Sequence, residues 1–370
     1  MKKDGVSPLI AFTGGGTGGH VYPIIAVYEK LRENLPQASF IYFGTKEKIE
    51  KKVANENQIN FQEIPFTGGM PRSIMVFPWL AKFIFTFLKT FFVVFKHRPK
   101  IIFGTGGYIA APVFLSAILL KIPYIIHNLD AHMGLANKLF IKNSKALTLG
   151  ISLTSFNEKT IPKNGPVIVT GNPVRRSFYE KKHDKDEILR KLELDPKRKT
   201  LIVIGGSQGA KFINELFFTL IEDLINENWQ IIHQLGPLQF DRFKNQYKDY
   251  VFYKPMSFIE NLNEIYSIAD VAISRSGAMS IAELSAKNVP AVYIPLPTAA
   301  QNHQFFNALS MEESGCSIVL EQKNATKTSL KERIDFIYSR KDLYSFNMKN
   351  SKHTANSSIT ISNIIKTVLK

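Results

Sequence analysis

Leu9-Ile-Ala-Phe-Thr-Gly-Gly-Gly-Thr-Gly-Gly-His20 decides the fold. A run of strand length, apolar up to its closing threonine, enters a glycine-rich turn, and Tyr22–Asn34 behind it has the spacing of an amphipathic helix. Strand, glycine turn and helix in that order open a βαβ unit. The opening recurs in the second half of the chain, where Thr200–Ile204 runs into Gly205-Gly-Ser-Gln-Gly209 and a helical pattern over Ala210–Ile221. Ser39–Phe43, Ile101–Phe103 and Tyr124–His127 read as further core strands. Strands alternating with helical patterns predict an α/β fold with parallel sheets, and the doubled opening predicts two similar domains.

The chain's 370 residues are enough for two domains that each bury a core. The join is expected near Gly171-Asn-Pro-Val174, because asparagine before proline marks a turn and Tyr179–Asp195 beyond it is charged and helical in pattern. With 45% apolar and 21% charged residues the composition excludes disordered, collagen-like and coiled-coil chains. A net charge of +16 attracts phosphorylated ligands, acidic lipid or nucleic acid without choosing among them. The single cysteine, Cys316, excludes an intramolecular disulfide and fits a reducing compartment. The opening MKKDGVSPLIAFTGGG has only a short apolar run broken by glycines, so it does not read as a signal peptide, and a cytoplasmic address is expected.

Ile74–Phe95 is long and aromatic enough to raise a membrane span. Lys82, Lys89 and Lys96 recur every seven residues along one helical stripe, and a lysine at mid-bilayer costs roughly 2.5–3.5 kcal/mol. An interfacial helix with a basic stripe, continued by Lys96-His-Arg98, fits better than a span or an ordinary packed helix.

The first glycine turn satisfies G-x-G-x-x-G, but Phe40-Ile-Tyr-Phe43 ends in Gly44-Thr45-Lys46, without the acidic residue that clamps a nicotinamide ribose. It offers backbone N–H groups at a helix start, where neutral His20 can accept a proton. Gly205–Gly209 repeats this geometry with the Ser207 hydroxyl, and it lacks the Gly-Lys-Ser/Thr ending of an ATP-hydrolysing P-loop. Asp270-Val-Ala-Ile-Ser-Arg-Ser-Gly-Ala278 ends a strand and opens a helix: its N–H groups and Arg275 suit an anion, and Glu283 suits vicinal ribose hydroxyls. Gln301-Asn-His-Gln304 and Asn307 are amides that both donate and accept, which is what sugar hydroxyls need. Asp184-Lys-Asp186 has the Asp-x-Asp spacing of some metal-dependent sugar transferases, yet it reads more simply as an acidic first helical turn, so no metal site is expected.

Six ordered segments together carry a resemblance: GGTGGHVYP at 15–23, GTGGYIAAP at 104–112, GNPVR at 171–175, GGSQGA at 205–210, SRSGAMSIAE at 274–283 and HQFFNA at 303–308. They resemble the peripheral-membrane N-acetylglucosaminyltransferases of peptidoglycan synthesis, glycosyltransferase family 28, over nearly the whole chain. The resemblance implies a GT-B fold: two Rossmann-like domains facing across a cleft, here 1–172 and 173–345, with a C-terminal helix within 346–370 (Thr354–Leu369) crossing back to the first. It implies inverting transfer from UDP-N-acetylglucosamine to undecaprenyl-diphosphoryl-N-acetylmuramoyl-pentapeptide, lipid I, to form lipid II, with no cofactor and no metal. The implied partners are those two substrates, an anionic phospholipid surface on the cytoplasmic face of the plasma membrane and other cell-wall synthesis proteins, but no nucleic acid.

By motif, Ser207 and Arg175 would meet the donor phosphates and Ile259 the uracil. Ala278, Met279, Ser280, Ile281, Ala282 and Glu283 would line diphosphate, sugar and ribose, and Gln304 would read sugar hydroxyls. Thr17, Gly18 and Gly19 would close from the first domain, with His20 as proton acceptor or acceptor positioner. Where the family has His-Glu-Gln-Asn this chain has His127-Asn-Leu-Asp130, so Asp130 either serves as a base or marks an altered acceptor. The loop Phe66-Thr-Gly-Gly-Met-Pro-Arg72 also diverges. A UDP-sugar epimerase, a noncatalytic UDP-sugar-binding scaffold and a nucleic-acid binder are the rival readings; the last explains the +16 charge, yet the phenylalanine-rich segment lacks interleaved base-reading residues.

Overall fold

The computed structural model describes residues 7–65, 76–154, 161–180, 184–243, 245–247, 249–351 and 357–370. The loop 66–72 lies outside them. The chain divides into two compact units, Met1–Arg175 with Asn356–Lys370, and Arg176–Ala355.

The first unit is built on seven parallel strands: β1 (Leu9–Thr13), β2 (Ser39–Gly44), β3 (Asn60–Glu63), β4 (Ile101–Gly104), β5 (Tyr124–Asn128), β6 (Ala146–Leu149) and β7 (Val167–Val169), in the order β3-β2-β1-β4-β5-β6-β7. Helices α1 (Gly18–Asn34), α2 (Ile49–Glu56), α3 (Val76–His97), α4 (Ala110–Leu119) and α5 (Leu135–Phe140) make the connections. Side chains alternate across each strand, so Ile10, Phe12, Tyr42 and Phe103 pack on one face of the sheet while Ala11, Ile41, Phe43 and Ile102 pack on the other. Both faces are covered, which is why these strands read as unbroken apolar runs.

The second unit holds six parallel strands: β8 (Lys199–Ile204), β9 (Trp229–Gln234), β10 (Tyr253–Met256), β11 (Val271–Ser274), β12 (Ala291–Tyr293) and β13 (Ser317–Val319), ordered β10-β9-β8-β11-β12-β13. Its helices are α6 (Ser177–Glu180), α7 (Lys185–Lys191), α8 (Lys211–Phe218), α9 (Ile221–Asn226), α10 (Pro237–Phe243), α11 (Leu262–Ile268), α12 (Ala278–Ala286), α13 (His303–Glu313), α14 (Lys327–Ser339) and α15 (Lys341–Asn350). The single helix expected over Ala210–Ile221 is two, α8 and α9, broken at Thr219-Leu220. Within 346–370, residues to Asn350 finish α15 in the second unit. Helix α16 (Ser357–Leu369) lies beside α1, with Ile361 and Ile365 in the first unit's core, Ser357 Oγ donating to the Thr170 carbonyl at 2.6 Å and Asn34 Nδ2 donating to Ser362 Oγ at 3.0 Å.

In each sheet the strand order reverses beside the first strand, between β1 and β4 and between β8 and β11. In open parallel sheets ligands bind beyond the carboxyl ends of the strands at such switch points. Both glycine turns sit there.

Helix α3 buries a narrow stripe, Thr86, Thr90 and Val94, one turn apart. Thr90 Oγ1 donates to the Thr86 carbonyl at 2.8 Å, whereas the buried Thr86 hydroxyl has no hydrogen-bond partner. Phe83, Phe87, Phe91 and Val93 are half-buried beside that stripe, while Leu80, Ile84, Phe85, Leu88, Phe92 and Phe95 are exposed together with Lys82, Lys89 and Lys96. Pro78–His97 is the one described helix long and apolar enough to cross a membrane.

Candidate active site

The second glycine turn is shaped by its own backbone: the Gly209 N–H donates to the Gly206 carbonyl at 2.9 Å. Gly209 has φ +75°, and a Cβ there would meet the Leu235 carbonyl oxygen at 1.9 Å, so only glycine fits. Ser207, at the tip, is exposed. Gln234, ending β9, donates from Nε2 to the Gly206 carbonyl at 2.8 Å and accepts the Ile259 N–H on Oε1 at 2.9 Å. One buried amide thus ties the turn carrying Ser207 to the loop carrying Ile259. The sequence pointed to both loops and missed the residue joining them. Ile259 itself is buried, with its N–H committed to Gln234.

Helix α12 starts after Gly277, which serves as its N-cap. Ala278, Ile281 and Ala282 face the core, whereas Met279, Ser280 and Glu283 are half-buried on the opposite stripe. Glu283 lies close enough to Tyr266 for its charge to reinforce the upward shift that burial imposes on that phenol. Ser276 Oγ donates to the Gln304 carbonyl at 2.8 Å and Asn307 Nδ2 donates to the Ser276 carbonyl at 3.1 Å, so the segments 274–283 and 303–308 meet. Gln304 accepts the Leu296 N–H on Oε1 at 3.0 Å, leaving its Nε2 amino group as the donor it can offer a ligand. Gln301 and Asn302, entering α13, both have φ +53°, a conformation costly for residues with a Cβ and one that Asn adopts more readily than most.

Arg275 requires a correction. Its guanidinium is not available to a phosphate: Nη1 donates to the Ile294 and Pro295 carbonyls at 2.9 and 3.0 Å, and Nη2 donates to Gln322 Oε1 at 3.0 Å. Burial lowers its pKa to about 10, and the side chain clamps the turn after β12 instead of reaching a ligand. The Asp-x-Asp spacing is also accounted for, since Asp184 caps α7 by accepting the Asp186 and Glu187 N–H groups at 2.9 and 3.2 Å.

In the first unit, the Gly14 carbonyl accepts from Tyr42 Oη at 2.6 Å and the Gly16 N–H donates to Glu50 Oε1 at 2.5 Å. Burial, then the Glu50 charge, hold the Tyr42 phenol well above its ordinary pKa, so it stays a donor. Helix α1 begins at Gly18 after Thr17, with the His20 N–H donating to the Thr17 carbonyl at 3.1 Å and His20 Nδ1 lying 3.2 Å from Thr17 Oγ1. Thr105 Oγ1 donates to the His20 carbonyl at 2.8 Å. Gly19 and His20 are half-buried and Thr17 exposed. Arg175 stacks over Tyr22 of α1, 5.0 Å from the ring centre, and is counted with this unit.

At the end of β5, His127 is fully buried, and burial lowers its pKa to about 4. Its Nε2 meets Asn172 Oδ1 and its Nδ1 meets Thr148 Oγ1, each at 2.9 Å, so it is a structural imidazole. Asn128 donates from Nδ2 to the Asp130 carbonyl at 2.7 Å and accepts from Asn137 Nδ2 at 3.0 Å, which makes it an internal tie of the loop. Asp130, the carboxylate of this segment, is half-buried. Among the described residues no three His, Cys, Asp or Glu side chains stand together as a metal set.

Two parallel-sheet α/β units, each with a glycine turn at the carboxyl end of its first strand, give the GT-B fold. The glycosyltransferase family 28 N-terminal domain matches residues 10–148 and the family 28 C-terminal domain matches residues 200–362. The chain belongs to glycosyltransferase family 28. A UDP-N-acetylglucosamine--N-acetylmuramyl-(pentapeptide) pyrophosphoryl-undecaprenol N-acetylglucosamine transferase from Halothermothrix orenii is 35% identical over 84% of this chain and 85% of its own. A protein of the same name from Francisella philomiragia is 33% identical over 93% of both. The crystal structure of Acinetobacter baumannii MurG superposes with a TM-score of 0.75 over 97% of this chain and 99% of that one, at 24% identity, and shares the fold.

Proposed function

We propose that this chain transfers N-acetylglucosamine from UDP-N-acetylglucosamine to undecaprenyl-diphosphoryl-N-acetylmuramoyl-pentapeptide. The reading is carried by the transferase name that relatives share across both units. In the proposed step a muramoyl hydroxyl oxygen attacks C1 of the sugar as the bond from C1 to the diphosphate breaks. The electron pair leaves with UDP, and the hydroxyl proton passes to a base.

The second unit holds the donor. Ser207 and the turn around it meet the diphosphate, the Ile259 carbonyl faces the uracil edge, and Met279, Ser280 and Glu283 present one side of α12 to sugar and ribose. The Gln304 amino group donates to a sugar hydroxyl. Fixed donors at the diphosphate favour the transition state, because charge grows there as the bond breaks. The first unit holds the acceptor, with His20 or Asp130 as the base and Thr17, Gly18 and Gly19 beside it.

Helix α3 places this unit on anionic lipid. Its exposed aromatics and three lysines support that placement, as does an apolar hollow of about 240 Å³ lined by Trp79, Phe83, Tyr108, Leu115, Leu135 and Leu139. The test is release of UDP and transfer of labelled sugar to a short-chain lipid I analogue. Conversion of UDP-N-acetylglucosamine to an epimer without acceptor, or binding without turnover, would overturn the reading.

A further inference from the structure

We infer that Glu50 is a positioning residue for the acceptor half of this reaction: its carboxylate fixes the glycine turn from which α1 presents Thr17 and His20. The inference rests on the transfer reading for its kinetic consequence and on geometry for the rest. Glu50 has no solvent exposure. Its Oε1 takes the Gly16 N–H at 2.5 Å, while its Oε2 is buried without a hydrogen-bond partner, and no lysine or arginine among the described residues pairs with it. A carboxylate held away from water in this way carries a desolvation cost that a leucine in the same space would not.

What the charge secures is the turn. A Cβ on Gly15 would lie 1.8 Å from Glu50 Oε1, so backbone and carboxylate are in direct contact. Three consecutive glycines have the widest conformational freedom of any tripeptide, and left alone they would sample many shapes. Here the Gly14 carbonyl is held by Tyr42, the Gly16 N–H by Glu50 and the His20 carbonyl by Thr105. Of these three ties, only Glu50's involves a charged group, and charge-assisted hydrogen bonds are about twice as strong as neutral ones. Removing it would loosen the turn and the first residues of α1 without weakening the sheet beneath.

The test compares the full-length wild type with Glu50→Gln, which keeps an acceptor oxygen, and Glu50→Leu, which does not. Hydrogen–deuterium exchange across Gly14–His20, transfer to a soluble lipid I analogue, UDP affinity and the thermal midpoint are measured. We expect the leucine variant to exchange at least tenfold faster in that segment and to lose at least tenfold in kcat, with UDP affinity within twofold and an unchanged or higher midpoint. The glutamine variant should stay within threefold of wild type throughout. A leucine variant with wild-type exchange and kcat overturns the inference, as does one whose midpoint and UDP affinity fall together with kcat. A glutamine variant as impaired as leucine does so too. Should the leucine variant not fold, Gly15→Ala, which forces the carboxylate aside, must reproduce the fast exchange and low kcat, and a silent Gly15→Ala overturns the inference. An inactive wild type would sink the transfer reading alone, because the exchange contrast reads the turn directly.

Discussion

The His127 imidazole donates from Nε2 to Asn172 Oδ1 at 2.9 Å, and the second sheet repeats the device with His233 Nε2 donating to Asn214 Oδ1 at 3.1 Å. In each case Nδ1 accepts from a hydroxyl, Thr148 in one sheet and Tyr253 in the other, and both rings are fully buried. A neutral ring with one donor and one acceptor nitrogen satisfies both partners, and a second proton would place a charge where burial disfavours it.

A pH dependence of stability follows. Burial lowers the pKa of His127 to about 4 and of His233 to about 3, against about 6.5 in the unfolded chain. Protonation therefore favours unfolding. The contribution is complete above pH 6.5, declines as pH falls below it, and by pH 5 each histidine has cost about 2 kcal/mol. Denaturant unfolding at pH 7 and pH 5 checks this: the wild type should lose substantially more stability than His127→Gln, which starts lower and slopes less. Equal losses would show that the ring is not the titrating group.

Arg275 is expected to be a stability residue. Lysine has three N–H donors on one nitrogen but not the planar two-nitrogen fork that reaches these acceptors, so Arg275→Lys leaves buried oxygens at Ile294, Pro295 or Gln322 without a donor. The expected cost is about 2–4 kcal/mol in unfolding free energy, with UDP affinity measured by calorimetry within twofold of wild type. The opposite result, tenfold weaker UDP binding at unchanged stability, would return the guanidinium to the phosphate.

That reversal marks where sequence reading stops. Buried parallel strands announce themselves, since Leu9–Thr13 and Thr200–Ile204 are apolar on both faces and end at glycines, so both strand-to-glycine-turn openings were legible, though the strand order that makes them switch points was not. Strands β3, β6, β7, β9, β10, β12 and β13, mostly short or interrupted by polar residues, were not read from the sequence. Helix α1 starts at Gly18, ahead of the expected Tyr22, because its first turn is glycine, which weakens the helical pattern without preventing the turn. Side-chain commitments were hidden for a different reason. Arg275 before a helix and Glu50 in the run Lys46-Glu-Lys-Ile-Glu-Lys-Lys52 look alike in sequence whether they face water, a ligand or a backbone carbonyl. Only packing decides.

The donor turn separates shape from contact. In Gly209→Ala the new Cβ meets the Leu235 carbonyl at 1.9 Å, which neither chain segment can vacate without moving Gln234's partners, so UDP affinity should fall more than tenfold and the thermal midpoint with it. Exposed Ser207 supports nothing in the fold, so Ser207→Ala should cost about 1 kcal/mol of UDP binding, roughly fivefold, at an unchanged midpoint. Calorimetric titration with UDP distinguishes the two, and a silent Ser207→Ala would remove the hydroxyl from the donor site.

Helix α3 presents exposed lysines and exposed aromatics, and if the proposed membrane contact holds, salt separates what each contributes. Phe85, Phe92 and Phe95 are 54%, 66% and 49% exposed, beyond what a stripe of Thr86, Thr90 and Val94 can bury. Lys89 rests its ammonium 4.4 Å from the Phe85 ring centre, so charge and aromatic surface share one patch. Each lysine near an anionic surface contributes about 1 kcal/mol, an effect that falls away as the Debye length shrinks to roughly 3 Å at 1 M salt. Burial of a phenylalanine side chain persists at any ionic strength, and at roughly 1.5–3 kcal/mol each it is the larger effect. In vesicle sedimentation with phosphatidylglycerol, replacing Lys82, Lys89 and Lys96 by glutamine should weaken binding at low salt and change little at 1 M. Phe85→Ser with Phe92→Ser should weaken it at least tenfold at both. Equal salt slopes for the two variants would mean that α3 meets something other than a charged bilayer.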